Sequence, residues 1–246
     1  MTDVEITRAQ HIVRICFNRP EKKNALLAAM FNKVAEAIEK AEADLDVHAI
    51  LCQGAGGNFT SGNDLAEFPA EPPKEGKPTP PSRLIHAIAN STVPMVAAVN
   101  GVAAGMGATM LLHFDSVVVA EDAKILLPFA NLALVPEGGS SMLLPKLMGY
   151  TRAAELLMRG KPISGQQAAE FGIASQVTSS AQVDETALAI ATEFAQKPPQ
   201  AMRKSKRLLK SGKESLIAQM AQEEKLLFEC FASQEHMDVL TSMSKR

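Results

Sequence analysis

Met95-Val96-Ala97-Ala98-Val99-Asn100-Gly101-Val102-Ala103-Ala104-Gly105-Met106-Gly107 decides the reading of this chain. Five apolar residues ending in Asn-Gly read as a short buried strand closed by a turn. Three glycines between Gly101 and Gly107 then lead into an apolar helix near Ala108 to Leu112. Glycines there allow a ligand close to the backbone, and N–H groups at a helix N-terminus favour negative charge. Tight helix–strand packing would explain the same glycines. The order lacks the dinucleotide fingerprint, and no Gly-Lys-Ser/Thr follows to make a phosphate loop.

Working outward, short strands alternate with helices. Val4 to Phe17 reads as two strands, and Met30, Phe31, Val34, Ile38 and Ala41 share one helical face. Ala49 to Gln53, Val117 to Val119 and Ile125 to Leu127 are further short strands, with a helix predicted over Ser82 to Ala89. The pattern suggests stacked β-β-α units rather than a long open sheet, with no strict repeat in the residues. Residues 69–81 hold six prolines and read as a loop or flap from which helix is excluded. Ser164-Gly165-Gln166-Gln167 is a capping box, and Gly172 closes that helix. Lys197-Pro198-Pro199 breaks the chain before two or three terminal helices, so the reading divides residues 1–196 from 197–246. A helical segment of that size must bury its apolar face on the core or on a second subunit.

The 246 residues suffice for a buried core, and 46% apolar with 21% charged residues is ordinary for a globular protein. A net charge of −2 gives no field for nucleic acid or an anionic membrane. Trp is absent and Tyr150 is the one tyrosine, which argues against base-stacking platforms. Cys16, Cys52 and Cys230 read as buried free thiols in a reducing compartment. With no membrane span and no signal-like N-terminus, a cytoplasmic protein is expected. The final Met243-Ser244-Lys245-Arg246 lacks the Leu of a peroxisomal address.

Three segments offer chemistry. Glu137 lies in Val135-Pro136-Glu137-Gly138-Gly139-Ser140-Ser141, where Pro136 restricts φ and the glycines permit unusual backbone. A solvated turn glutamate is the plain alternative. Thr60-Ser61-Gly62-Asn63-Asp64 is a turn whose Asn63 N–H could face an oxyanion, or an ordinary helix cap. With the Gly101–Gly107 turn, these supply a base and two N–H donors, the minimum for moving a proton next to a carbonyl. Ser140 and Ser141 lack a nucleophile elbow. The five histidines show no metal spacing, so no metal is expected. Arg203-Lys204-Ser205-Lys206-Arg207 reads as a solvated helix face, or as an anchor for ligand phosphates.

Taken in order, Asn18-Arg19-Pro20-Glu21-Lys22-Lys23-Asn24-Ala25-Leu26, then Gly57 to Leu65, then Asn100 to Gly107 resemble the crotonase (enoyl-CoA hydratase/isomerase) superfamily. The similarity covers nearly the whole chain. It implies an α/β fold, a crotonase-like spiral of β-β-α turns with a C-terminal helical segment that builds trimers or dimers of trimers. It also implies acyl-CoA thioester substrates, no separate cofactor, and an oxyanion hole on the N–H groups of Asn63 and Met106. CoA contacts fall by resemblance on Lys23, Ala25, Ser61, Gly62, Asp64, Leu65 and Gly105, with Lys22 or the helix around Lys206 meeting phosphates.

Thr109 and Phe129 stand where hydratases of the family carry two glutamates, and neither can act as a carboxylate base. The segment from Pro136 to Ser141 looks more like the peroxisomal-type Δ3,Δ2-enoyl-CoA isomerases, in which one glutamate, here Glu137, shuttles the proton. The resemblance therefore implies an isomerase acting through a dienolate. An atypical hydratase, a thioester hydrolase and a low-turnover acyl-CoA-binding protein are the alternatives.

Overall fold

The computed structural model describes residues 2–67 and 78–244. Strands β1 (Val4–Ala9) and β2 (Ile12–Phe17) pair antiparallel through a turn at Gln10 and His11, both at positive φ. Consecutive left-handed residues suit the right-handed twist of a hairpin. Helix α1 (Ala28–Ala43) follows, then β3 (Ala49–Gly54), helix α2 (Pro80–Asn90) and β4 (Met95–Val99). The face predicted for α1, Met30, Phe31, Val34, Ile38 and Ala41, is buried against the core.

The decisive stretch makes β4, then β5 (Val102–Ala104), then the single turn α3 (Met106–Thr109), which tightens into a 3-10 turn over Met110–His113. Strands β6 (Ser116–Ala120), β7 (Lys124–Leu126), β8 (Ile163–Ser164) and β9 (Gln176–Thr178) complete two sheets. One runs β1-β2-β3-β4-β6-β9 and the other β5-β7-β8. Successive strand pairs thus lie side by side: β4 beside β6 with Val96 opposite Ser116, and β5 beside β7 with Val102 opposite Lys124. From β4 onward the chain adds one strand to each sheet in turn, which is the stacking that the sequence predicts, whereas β1, β2 and β3 extend the larger sheet alone. Strands β4 and β6 are buried throughout, as expected of parallel strands covered on both faces.

Helices α4 (Ser140–Met148), α5 (Tyr150–Arg159), α6 (Gly165–Glu170) and α7 (Val183–Gln196) pack around these sheets. Ser164 caps α6 in a full capping box with Gln167. The terminal helices are α8 (Pro199–Leu209), α9 (Lys213–Phe231) and α10 (Gln234–Ser244).

Three expectations need correction. Helix α2 starts at Pro80, two residues before Ser82, because prolines are tolerated in a first turn whose N–H groups have no intrahelical partner. Thr79 caps it by accepting the Ser82 N–H. The rest of the proposed flap, 69–77, lies outside the described residues. Among the thiols, only Cys52 is buried; Cys16 and Cys230 are half-buried.

The basic run of α8 is neither a solvated face nor a phosphate anchor at Arg203 and Lys206, which are 7% and 4% exposed. The Arg203 guanidinium donates to the carbonyls of Ala41, Glu42, Asp44 and Val47. It thereby satisfies the acceptors that the end of α1 leaves open, where a cation also opposes the helix dipole. Lys206 Nζ donates to the Val93 carbonyl at 2.7 Å and pairs with Asp115 at 2.6 Å. These bonds, rather than apolar area alone, tie α8 to the end of α1 and to the segments that lead into β4 and β6.

Candidate active site

A cavity of about 410 Å³ is bounded by α1, α2, the two glycine turns, the loop before α4, and α9. Its walls are mainly apolar, including Phe31, Ile85, Phe129, Leu132, Met220 and Phe228. Its polar lining includes Ser61, Asn63, Asp64, Glu67, His86, Glu137 and Glu224, together with the Gly105–Met106 turn. An apolar pocket with a few convergent polar groups is the usual form of a small-molecule site.

The two glycine turns are held together by backbone pairing. Thr60 N–H donates to the Val102 carbonyl at 3.0 Å, and Ala104 N–H donates back to Thr60 at 3.0 Å. The contact is close enough to demand glycine: a Cβ at Gly62 would lie 2.5 Å from the Ala104 carbonyl oxygen, and φ there is +84°. On the other flank, Leu26 N–H donates to the Gly62 carbonyl and Asp64 N–H to the Leu26 carbonyl. The Gly62 N–H donates to the Thr60 hydroxyl oxygen at 3.1 Å, so the N–H groups on either side of Asn63 are both engaged. Those of Asn63 and Met106 themselves have no acceptor among the described residues. Both residues line the cavity. Backbone donors seldom go unpaired inside a protein without water or ligand to receive them. The two N–H groups singled out in the sequence are thus brought to one cavity.

The loop from Asn18 to Leu26 supports this arrangement. Buried Asn24, at φ +56°, donates to the carbonyls of Ala55 and Asn58 and accepts the Arg19 N–H. Arg19 donates to the Ala25 carbonyl at 2.7 Å and pairs with Asp64 at 3.0 Å. The Asp64 carboxyl sits below its ordinary range, through the Ala66 N–H that it accepts and then the Arg19 contact. Its charge is therefore spent on the turn. Ser61, Asp64, Leu65 and Gly105 line the cavity; Lys23, Ala25 and Gly62 do not, although the Lys23 carbonyl accepts the Ser61 N–H.

Glu137 enters from the loop before α4, where Gly138 and Gly139 take φ of +68° and +77°. Its side chain is half-buried, and the surface left to it faces the cavity that it lines. Burial pushes its carboxyl up from 4.5 to about 7, and the nearby charge of Glu223 adds to the effect; a hydrogen bond from the Thr109 hydroxyl to Oε1 acts in the opposite direction. Ser140 Oγ donates to the Glu137 carbonyl, so this serine closes the turn rather than serving as a nucleophile. Behind the loop, His113 Nε2 donates to the Gly138 carbonyl at 2.7 Å. Burial holds that imidazole down to about 4, so it is neutral near pH 7.

Thr109 and Phe129 acquire definite places. Thr109 is the partner of Glu137, and Phe129 is part of the apolar wall. Sequence reasoning missed Glu223 and His113 as supports of the loop. Nothing local marks them, since both contacts cross between distant segments. Among the described residues, no group of three or more His, Cys, Asp or Glu side chains could hold a metal ion, and no helix is long and apolar enough to cross a membrane.

Residues 7–245 match the family model described as enoyl-CoA hydratase/isomerase. The 1,2-epoxyphenylacetyl-CoA isomerase of Escherichia coli is 34% identical over 76% of this chain and 74% of its own length. Enoyl-CoA delta isomerase 2 of Rattus norvegicus is 33% identical over 98% of this chain, which spans only 63% of that relative. Hydratase names also occur among the relatives. The solved structure of Pseudomonas aeruginosa OdaA is 38% identical, with a TM-score of 0.95 over the whole of both chains.

Proposed function

This chain belongs to the enoyl-CoA hydratase/isomerase family and has the crotonase fold, and we propose that it is a Δ3,Δ2-enoyl-CoA isomerase with Glu137 as its base. The observation that carries the reading is that, of the carboxylates lining this apolar cavity, Glu137 is the one that burial raises to about 7, while Asp64 is paired with Arg19 and Glu67 accepts the Ala28 N–H; the same wall holds two unengaged N–H groups. Hydration needs one group to activate water and usually a second to protonate carbon. Moving a double bond needs one base.

In this reading the thioester oxygen accepts from the Asn63 and Met106 N–H groups. Glu137 takes a proton from C2 of a 3-enoyl thioester, the electron pair spreads over the dienolate, and the same proton returns at C4. Each unit of mismatch between the C–H acid and the base costs about 1.4 kcal/mol. A glutamate raised by burial narrows that gap, and the N–H pair stabilises the developing oxyanion. Thr109 suits both states of the base. Its hydroxyl donates to Oε1 while Glu137 is ionised, and the Met106 carbonyl, 3.3 Å away, can receive that hydrogen once Glu137 is protonated. The other oxygen, Oε2, is left for substrate. Phe129 contributes shape and dryness rather than acid.

The exposed Leu208, Leu209, Tyr150 and Met158 give the helices apolar surface for self-association, and we assign the chain to a homotrimer or dimer of trimers in the cytoplasm. The assay compares isomerisation of 3-enoyl-CoA with water addition to 2-enoyl-CoA and with release of free CoA. Isomerisation is expected to dominate; faster hydration or thiol release would overturn the assignment. Because the base must be ionised, kcat/KM is expected to fall about tenfold per pH unit below roughly 7 and to level off above it. A profile flat from pH 5 to 9 would exclude Glu137 as the titrating base.

A further inference from the structure

Glu223 carries a carboxylate into the interior from α9 and is 4% exposed. None of the ion pairs among the described residues includes it. Its Oε2 accepts the Gly139 N–H at 2.6 Å, and its Oε1 accepts the Ser141 N–H at 2.9 Å and the Ser141 hydroxyl. Gly139 is the N-cap of α4 and has no side chain to cap it. The first turn of α4 therefore receives its cap from a helix more than eighty residues further on.

The hydrogens around Glu223 are ordered. Ser141 Oγ accepts from Gln219 Nε2 at 2.9 Å, which leaves the serine hydrogen to point at Glu223. Every polar partner of this carboxylate is then a donor, and an ionised carboxylate is acceptor-only. A carboxylic acid would turn a hydrogen of its own against one of them. Near it stand Glu137 across the loop, the neutral His113 behind Gly138 and Gln219 on its own helix. A Cβ at Gly139 would meet Leu216 Cδ1 at 2.4 Å, so α9 presses directly on the segment that Glu223 grips.

We propose that Glu223 is a positioning residue for Glu137: its carboxylate clamps the Gly139 and Ser141 N–H groups, fixes the direction in which Glu137 enters the cavity, and places a negative charge behind it. The proposal rests on the reading of Glu137 as the base. Two carboxylates then divide the work. Burial raises the Glu223 carboxyl, and its three donors pull it back toward the charged form, whereas Glu137, with one hydroxyl partner, is left freer to exchange its proton.

The test measures kcat, KM and their pH dependence for isomerisation of 3-enoyl-CoA in the full-length protein. Glu223→Gln keeps the shape and removes the charge; Glu223→Asp keeps the charge and shortens the reach. In both, kcat is expected to fall by roughly 10–100-fold with KM within about twofold, since a displacement of about 1 Å can cost that much. The acid limb is expected to move to lower pH in Glu223→Gln, where the like charge is gone, and to stay in place in Glu223→Asp. Added to Glu137→Gln, the Glu223→Gln change is expected to cost less than about twofold, because it acts through the residue already removed. Wild-type kcat with an unmoved limb in Glu223→Gln, or an undiminished cost in the double variant, would overturn the clamp. Should Glu223→Gln fail to fold, Glu223→Asp at wild-type kcat would overturn it equally. Full activity in Glu137→Gln alone would instead remove the base assignment, so the two failures are distinguishable.

Discussion

Replacing Glu137 with Gln is expected to lower kcat for 3-enoyl-CoA isomerisation by roughly 10²–10⁴-fold, the range for loss of a positioned general base. KM is expected to change little, because the amide fills the same space and the oxyanion donors are untouched. The same variant is expected to be more heat-stable than wild type at pH 8. Burial raises the Glu137 carboxyl from 4.5 to about 7, so the folded protein favours its protonated form. The stability that this group contributes is fully present below about 4.5 and is lost as pH rises through about 7. A neutral amide has no such loss, so thermal melting of the two proteins should converge towards pH 5 and separate towards pH 8. A variant that isomerises at the wild-type rate would dismiss Glu137 as base. A constant difference in Tm across that range would contradict the buried, proton-holding environment described for it.

Gly62→Ala is expected to be the most damaging single methyl group near the site. The added Cβ would lie 2.5 Å from the Ala104 carbonyl oxygen and 3.5 Å from the Met106 nitrogen, on a backbone at φ +84°. Relief requires the two glycine turns to separate, which withdraws Asn63 or Met106 from the cavity wall. Loss of one oxyanion donor costs roughly 10²–10³ in kcat, and left-handed strain of about 1–3 kcal/mol accompanies it. Gly212→Ala is the control. That residue is also left-handed, at φ +86°, but its Cβ would meet nothing within 4 Å. It should lose stability and keep kcat. Equal kcat in the two variants would show that the apposition of the turns does not set the rate.

Much of the fold is legible in the chain because its signals are local. The unbroken apolar runs of β4 and β6 announce strands buried on both faces, and the period of Met30, Phe31, Val34, Ile38 and Ala41 announces the inner face of α1. The glycine turns are legible for the same reason, since positive φ at Gly62 and Gly105 is a property of one residue. What escapes is decided by neighbours distant in sequence. Arg203 and Lys206 look like solvent-facing charges until the carbonyls at the end of α1 and Asp115 are placed beside them. Glu223 looks like one glutamate among several on a helix, and only the bare N-terminus of α4 gives it a purpose. Pro80 and Pro81 mislead for a different reason: the same ring that breaks a helix interior is harmless in its first turn.

The bond between Ser141 and Glu223 spans 82 residues of chain. At a synthesis rate of about 5–20 residues per second, the loop bearing Glu137 would emerge from the ribosome roughly 4–16 s before the residue that caps it. Closing so long a loop is entropically costly, and only the docking of α9 rewards it. Catalytic competence should therefore be a late event in the life of each molecule, arriving after the sheets have formed. In refolding followed by pulsed hydrogen exchange, the Gly139 and Ser141 amides are expected to gain protection later than those of β4 and β6. Simultaneous protection would mean that the loop takes its shape without waiting for α9.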